Sequence, residues 1–395
     1  MLQNAGYHTA VVGKWHLGLG PKGGPDWNRE IKPGPQEIGF NYSFIMPATG
    51  DRVPCVYMEN RRIVDLDAAD PILTSYSTKI GNEPTGRENP ELLKLAPSHG
   101  HDNTIINGVS RIGWMSGGKA ARWIDEDMAD VFINRAVKFI EKQNDNPFFL
   151  YFATHDIHVP RLPHSRFIGK SGLGPRGDAI LQLDWTVGEI VKTVQRLNLS
   201  EKTIIIFTSD NGPVLDDGYH DLAVQKLNGH KPAGPYRGGK YSAFNAGTKI
   251  PLIISWPGKI EAGRSTDALF SQIDFYASFA ALTTQSPAEG QAPDSYNMLN
   301  TLLGRSEMNR PFLIQQSINS TLSFIQEEWK YIEPSKGPRI NANTNIELGN
   351  NPEAQLYNLK NDIGEKNNLA KEYPEKVKQL SARLANVKQN KKPAL

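Results

Sequence analysis

A lysine and a histidine stand two residues apart at the end of a short apolar run near the start of the chain. The run Thr9–Val12 predicts a buried strand, and the glycine after it predicts a turn. Alternate residues of an extended segment point the same way, so we expect Lys14 and His16 to share one face. A cation beside a titratable imidazole suits an anion site. The simpler interpretation is a surface turn that carries two solvated polar groups.

A loop with two histidines follows the apolar run PFFLYFAT (147–154). Within this loop, HDIHVP, the Val-Pro pair after His158 stiffens the backbone, and we take His158 as the candidate functional histidine. An imidazole that titrates near neutrality can give a proton to a leaving oxygen. His155 and Asp156 are expected to be structural or to lie at the rim of a site.

Asp210 and Asn211 follow another apolar run, TIIIFTS (203–209). Carboxylate and amide oxygens are hard ligands that suit Ca²⁺ or Mg²⁺, although an Asx turn at a strand end is a common alternative. Two oxygens do not complete such a site. Lys240 follows two glycines in YRGGKYSAFNAGTKIP, where the backbone can approach a ligand closely. The pattern G-x-x-x-x-G-K-[ST] is absent, so this segment is not a nucleotide cradle.

Taken together, these side chains predict a site for a tetrahedral oxyanion ester. The cationic or proton-donating members are Lys14, His16, His158 and Lys240, and the candidate ligands of a divalent cation are Asp210 and Asn211. Such a set would stabilise negative charge on the ester and protonate a leaving oxygen.

Apolar strands and amphipathic helices alternate along most of the chain. Helices are predicted from Asp125, as N-cap, to Gln143 and over about 178–197, and a further apolar strand over 250–258. This order predicts an α/β fold with a mostly parallel central sheet flanked by helices. Ligands of such sheets lie beyond the carboxyl ends of the strands, where the polar side chains above would meet.

The sequence changes in character after residue 290. Residues 1–290 are predicted to form the α/β domain, with long loops over 60–122, and residues 291–395 a smaller α+β domain. In the second part, LSFIQEEWKYIEP predicts a hairpin, QLYNL a strand, and the charged stretch 372–389 a terminal helix.

Composition excludes several classes of function. The 395 residues carry 44 basic and 42 acidic side chains, a net charge of +2, which gives no basic surface for nucleic acid. No run of about 18 apolar residues exists to span a membrane. The single cysteine, Cys55, excludes an internal disulfide and a cysteine zinc site. The first residues, MLQNAGYHT, lack the apolar region of a signal peptide.

Five segments, in this order along the chain, resemble the sulfatase family of the alkaline-phosphatase superfamily. They are GYHTAVVGKWHLG, PFFLYFATHDIHVP, TIIIFTSDNGP, YRGGKYSAFNAGTKIPLIISWPG and QLYNLKNDIGEKNNLA. The resemblance implies a sulfuric ester hydrolase that cleaves a sulfate ester by metal-assisted attack of a formylglycine hydrate. It also implies a sulfated small molecule or sulfated glycan as substrate, and a periplasmic or secreted location.

The resemblance implies a role for each matching residue. Asp210 and Asn211 would bind Ca²⁺, in preference to Mg²⁺. Lys14 would contact the nucleophile and the sulfate, and His16 would orient the hydroxyls of the nucleophile. His158 would be the general acid. Lys240 would contact a sulfate oxygen.

A further segment, MPATGDRVPC, supplies candidate substrate contacts. Thr49 stands where some sulfatases place a serine near the sulfate. Asp51 and Arg52 are expected to contact the substrate or to lie at the rim. The alternative for these two is a surface ion pair, which contributes little to stability.

The chain also departs from the family pattern. The paired aspartates of the first strand and the nucleophile motif, C-x-P-S-R or S-x-P-S-R, are absent from these residues. Cys55 lies in VPCVYME, without the proline and arginine at the required spacing. Asn245 stands where many sulfatases have glutamate. We therefore expect the chain to be N-terminally truncated, with formylglycine present only in a complete protein, and to be inactive by itself.

Two other functions are compatible with the same residues. The first is a phosphate or phosphonate monoester hydrolase of the same superfamily, since it would share the cationic side chains. The second is a non-catalytic remnant that binds sulfated glycans.

Overall fold

The structure is a computed structural model that describes residues 1–143 and 146–389. Within them the α-helices are α1 (Met128–Glu141), α2 (Gly174–Arg196), α3 (Phe275–Leu282), α4 (Leu299–Leu302) and α5 (Pro374–Gln389). The strands are β1 (His8–Lys14), β2 (Tyr42–Met46), β3 (Met58–Glu59), β4 (Arg62–Ile63), β5 (Leu73–Ser75), β6 (Ile105–Ile106), β7 (Val109–Ser110), β8 (Trp114–Ser116), β9 (Phe148–Ala153), β10 (Ile205–Thr208), β11 (Leu252–Ser255), β12 (Leu313–Gln316), β13 (Leu322–Gln326), β14 (Trp329–Ile332), β15 (Ile340–Asn341), β16 (Ile346–Glu347) and β17 (Gln355–Asn358).

The chain divides into two compact units. The first unit comprises residues 2–198 and 215–229, and the second comprises residues 199–214, the chain from residue 230 onward, and Met1. The domain boundary near residue 290 stays a prediction. No helix among the described residues has both the length and the apolar character needed to cross a membrane.

The first unit contains a five-stranded sheet in the order β4-β3-β2-β1-β9. Strand β1 runs parallel to β2 and to β9, whereas β3 and β4 are antiparallel additions at one side. Helix α1 packs on the sheet through an apolar face that includes Phe132, Ala136 and Ile140, at the spacing of helical turns. The α/β fold class is confirmed, and the central sheet is mixed.

Burial falls from the middle of this sheet to its side. Val11 and Val12 of β1 are fully buried, as the apolar run predicts. Strand β9 is only half-buried, and the side chain of Tyr151 is 45% exposed. The prediction of a strand covered on both faces is wrong here, because the face that carries Tyr151 is open to solvent; β9 is also the outer strand of the sheet in the described residues.

Helix α1 begins differently from the predicted helix. Asp125 opens a short 3-10 turn, Asp125–Asp127, and α1 starts at Met128. The Asp125 carboxylate does not cap the helix; it accepts hydrogen bonds from Arg111 Nη2 at 2.7 Å and Asn107 Nδ2 at 3.1 Å. A buried guanidinium competes successfully for this carboxylate, since the arginine has no exposed surface.

The second unit contains two separate sheets that bear on the predictions. Strands β10 and β11 pair with each other in antiparallel fashion, so the predicted parallel arrangement of these runs is wrong. Strands β12, β13, β14 and β17 form an antiparallel sheet, and α5 packs on it through Leu380 and Leu384. The hairpin, the strand and the terminal helix predicted in this region are confirmed.

Candidate active site

The carboxyl ends of three parallel strands bring the first group of candidate residues to one edge of the sheet. Lys14 is the last residue of β1 and lies in register with Met46 of β2. The N–H of His16 donates to Pro47 O at 3.1 Å, just after β2. The loop of His158 follows β9, on the other side of β1. Within the first unit, the residues after two of the apolar runs therefore meet at one edge, and β2 adds a third strand.

The backbone leaves the extended conformation immediately after β1. Gly13 has φ 113° and an added Cβ atom would lie 1.9 Å from Ala153 O, so only glycine fits between β1 and β9. The extended backbone ends at Lys14, and His16 has φ 51° and is exposed. Lys14 and His16 thus do not share a strand face, because the chain leaves the sheet between them.

Asp51 is the centre of a buried polar cluster near this edge. Its carboxylate accepts a hydrogen bond from the Thr49 hydroxyl and lies 2.7 Å from Arg52 Nη1. Asp51 is 2% exposed, so the alternative of a surface ion pair is wrong. Because Thr49 gives its only hydroxyl proton to Asp51, that hydroxyl cannot also donate to a sulfate oxygen. This geometry favours an orienting role for Thr49.

His101 is a member of this cluster that sequence reasoning missed. Its Nε2 lies 3.1 Å from Asp51 Oδ2, and its Nδ1 lies 2.8 Å from His99 O. Both partners are acceptors, so both ring nitrogens must donate, which makes the ring an imidazolium. Its ring also packs against Tyr219, with centroids 4.9 Å apart. No periodic pattern in the long loop 60–122 singles out this histidine.

Asp51 and His101 shift each other's pKa toward the charged form. Burial by itself would raise the pKa of Asp51, but the hydrogen bond from His101 and the charges of His158 and Arg52 hold that pKa well below its ordinary value. Burial opposes the charge on His101, yet its hydrogen bonds to Asp51 and to His99 O raise the pKa of the imidazole. The cluster therefore presents an ionised carboxylate.

The backbone carbonyl of the next residue, Val159, orients the ring of His158. Its Nδ1 donates to Val159 O at 2.8 Å, so Nε2 carries the lone pair when the ring is neutral. A cavity of about 10 Å³, the space of one water molecule, lies against His158, Gly50 and Asp125. The neighbouring Asp156 is buried, and burial raises its pKa. A structural role fits Asp156, because its carboxylate accepts from Gln182 at 2.9 Å.

Two buried residues of the first unit are unsuited to direct chemistry. Arg111 is fully buried and pairs with Asp125, so it is a structural cation. Cys55 is fully buried, and burial raises the pKa of its thiol to about 12. A thiol that stays protonated is a poor nucleophile, which agrees with the absence of the nucleophile motif around it.

The second unit holds the remaining candidates, Asp210, Asn211 and Lys240. The N–H of Lys240 donates to Pro213 O at 2.9 Å, which joins the RGGK segment to the loop after β10. The Asn211 amide nitrogen donates to Gly212 O at 2.9 Å, so the amide oxygen is the end that can face a cation. The structure therefore brings Lys240 and the Asp-Asn pair into one short region.

The side-chain oxygens of Asp210 and Asn211 are of the type that binds a hard cation. Asp210 and Asn211 offer a carboxylate and an amide oxygen, and Ca²⁺ takes about six to eight oxygen ligands. In the part of the chain that the structure describes, no three His, Cys, Asp or Glu side chains are grouped to bind a metal. The pair can therefore contribute to a Ca²⁺ site but does not form one by itself.

The sequence of this chain is similar to those of known sulfatases. The Sulfatase family profile matches residues 1–285. The chain is 59% identical over 388 residues to the N-acetylgalactosamine-6-O-sulfatase of Bacteroides thetaiotaomicron, covering 98% of this chain and 76% of that protein. It is 32% identical over 188 residues to human N-acetylgalactosamine-6-sulfatase, covering 47% of this chain and 34% of the human protein.

A solved structure agrees with these sequence comparisons. It comes from work on the metabolism of multiple glycosaminoglycans by Bacteroides thetaiotaomicron. It superposes with a TM-score of 0.97 at 59% identity, over 98% of this chain and 81% of that one.

Proposed function

The chain belongs to the sulfatase family, whose members are sulfuric ester hydrolases, and we propose that its substrate is a glycan carrying N-acetylgalactosamine 6-sulfate. The observation that supports this substrate is the 59% identity, over 98% of the chain, to a protein of that specificity. A pocket that discriminates between sugars depends on a few polar side chains, and identity at this level favours a shared pocket.

Hydrolysis of the ester requires charge stabilisation and a proton for the leaving alcohol. In the first unit, Lys14 would contact the sulfate, and His16 would orient the nucleophile. The protonated ring of His158 would give its Nε2 proton to the sugar oxygen and become neutral, since its Nδ1 proton stays bonded to Val159 O. In the second unit, Lys240 would donate to a sulfate oxygen.

The metal would be bound by Asp210 and Asn211, which supply hard oxygen ligands. Ca²⁺, when bound, would add positive charge close to the sulfate oxygens. Asn211 is already oriented for this, because its amide nitrogen is held by Gly212 O.

The Asp51 cluster is proposed to recognise the sugar. Arg52, which is 32% exposed, would donate a hydrogen bond to a sugar hydroxyl, and the buried, ionised Asp51 would hold the guanidinium in place. His101 and Thr49 would hold the carboxylate in place. A site that forms such hydrogen bonds discriminates strongly against a sugar that lacks the hydroxyl at that position.

The nucleophile is the component that these residues do not supply. The family chemistry uses a formylglycine formed in C-x-P-S-R or S-x-P-S-R, and neither pattern occurs in the 395 residues. The buried thiol of Cys55, with its raised pKa, does not replace it. We therefore propose that this chain by itself binds the sulfated sugar without hydrolysing it.

The test separates binding from turnover. Calorimetry of the 395-residue chain with CaCl₂ should show binding of N-acetylgalactosamine 6-sulfate and weaker binding of the 4-sulfate. Sulfate release, measured by ion chromatography, should appear only when a segment that carries C-x-P-S-R or S-x-P-S-R is fused ahead of Met1. Turnover by the chain alone would refute the proposed inactivity. Binding with an inactive fusion would favour a glycan-binding role, and equal binding of both sulfates would refute the proposed substrate.

A further inference from the structure

A lysine and a glutamate form a completely buried pair in the second unit. Lys330 Nζ, from β14, lies 2.9 Å from Glu365 Oε1, and neither side chain has exposed surface. Glu365 belongs to the segment NDIGEKNNLA (361–370), and no residue of this segment has a role in the proposed function. A buried ion pair adds little net stability compared with apolar residues of the same size, so the contacts of this pair indicate its role better than its energy does.

Asn245 is the residue that the pair holds. Its backbone N–H donates to Glu365 Oε2 at 2.7 Å, and its side-chain oxygen accepts from Lys330 Nζ at 2.9 Å. With asparagine, the cluster contains one positive and one negative charge and is neutral, whereas a glutamate would add a second carboxylate against a single lysine.

Asn245 opens a 3-10 turn, Asn245–Gly247, that lies directly against the proposed Ca²⁺-binding loop. The Gly212 N–H donates to Gly247 O at 2.9 Å, and a Cβ atom on Gly212 would lie only 1.6 Å from Ala246 O. The two backbones therefore touch without an intervening side chain. A shift of the turn must move the loop that carries Asp210 and Asn211.

A second connection joins the same glutamate to the segment of Lys240. Arg237 Nη1 donates to the backbone oxygen of Glu365 at 2.7 Å, and the same guanidinium makes two hydrogen bonds to Glu347, at 2.8 and 2.9 Å. Lys240 lies three residues beyond Arg237, and its own N–H is bonded to Pro213 O. Glu365 thus contacts the RGGK–NAG segment twice, at Arg237 and at Asn245.

We propose that Glu365 and Lys330 are positioning residues that set the place of Lys240 and of the Asp210–Asn211 loop. The inference rests on the proposed function, which gives those residues their roles on sulfate and Ca²⁺. Neither Glu365 nor Lys330 touches substrate; they act through Asn245 and Arg237.

The first measurement is hydrogen exchange on the full chain. Glu365→Ala should raise amide exchange in residues 209–213 and 237–249 while exchange in α5 stays as in the native chain. Because Glu365→Ala leaves a buried lysine and can unfold the chain, the double variant K330M/E365L provides a folded alternative with an apolar pair of similar size. The matched control is Glu353→Gln, which alters an exposed ion pair with Lys371 in the same unit.

The second measurement tests coupling to Lys240. Binding of N-acetylgalactosamine 6-sulfate should weaken about tenfold in K240A and in K330M/E365L, the effect expected for one hydrogen bond to a charged group. The triple variant should be weaker than K240A by clearly less than tenfold, because the Lys240 contact is already lost and only the effect through the Asp210–Asn211 loop remains. A purely structural pair would instead give effects that multiply.

The exchange and binding measurements together separate support for the inference from its refutation. Faster exchange in both segments together with non-additive binding supports the inference. Unchanged exchange in folded K330M/E365L, or additive binding losses, overturns it. If the native chain does not bind the sugar sulfate, the proposed function fails, and the exchange measurement alone decides whether the pair positions these segments.

Discussion

Replacing His101 by alanine tests the charge balance of the Asp51 cluster. The substitution removes the hydrogen bond from Nε2 to Asp51 and the packing of the ring on Tyr219. It leaves a carboxylate that is 2% exposed with Thr49 and Arg52 as its closest partners. We therefore expect a large loss of folding free energy from a residue that contributes little apolar surface.

The size of the loss follows from the burial. Removing one partner of a buried charge pair typically costs about 3–5 kcal/mol. Arg52 remains bonded to Asp51, so we expect the lower end, about 3 kcal/mol. The double variant H101A/D51N should cost about 2 kcal/mol less than the sum of the two single variants, because a neutral amide no longer needs the imidazolium.

The loss should depend on pH with a defined sign. The pKa of His101 is raised by folding, so its contribution is complete below the unfolded value of about 6.5 and disappears as the pH rises through the folded value. The pKa of Asp51 is lowered, so its contribution is present above about pH 4 and disappears as the pH falls toward the folded value. The gap between native chain and variant should therefore be widest between about pH 4 and 6.5.

Urea unfolding of the full chain, followed by circular dichroism at several pH values, measures this gap. His220→Ala is the matched control, because His220 is an exposed histidine of the same unit. A cost for H101A equal to that of the control would refute the reasoning. So would a gap that grows steadily from pH 6 to pH 9.

Three further perturbations follow from the structure. Gly13→Ala should lower the unfolding free energy by more than about 2 kcal/mol, since its Cβ would meet Ala153 O at 1.9 Å; an unchanged urea midpoint would contradict this. Cys55 should not react with a thiol reagent at pH 8 in the native chain and should react fully in urea; rapid native labelling would show that it is accessible. Arg166→Ala should cost about 1 kcal/mol in the same unfolding assay, because the guanidinium pairs with an aspartate of α1 and lies 4.2 Å from the Trp185 ring; no measurable cost would mean that solvent competes fully for this contact.

The parts of the fold that sequence predicts are those governed by local pattern. The apolar run at Thr9–Val12 is a strand, the hairpin over β13 and β14 is present, and the charged C-terminal stretch is a helix. Pairing direction is not local: the runs at β10 and β11 read as buried parallel strands but pair with each other in antiparallel fashion. An apolar run shows that a strand exists, not which strand it pairs with.

The polar contacts of the candidate site were less predictable for the same reason. Thr49, Asp51 and Arg52 are neighbours in sequence, whereas His101 comes from a loop without periodicity, fifty residues away from Asp51. Asp125 looked like a helix cap, but Arg111 takes its carboxylate. Partner choice among buried charges depends on tertiary packing. The roles of the site residues stay predictions until the variants are measured.

The contact between Gly212 and Ala246 has a consequence for reading mutational scans of this chain. With a Cβ atom placed 1.6 Å from a carbonyl oxygen, every substitution at position 212 is blocked by the backbone itself. A scan scored by binding of the sugar sulfate would rank this glycine with Asp210 and Asn211, its near neighbours, as if it took part in the binding. The same scan scored by protein abundance would separate them: the glycine should fail in both screens, and the two metal-ligand candidates only in the first.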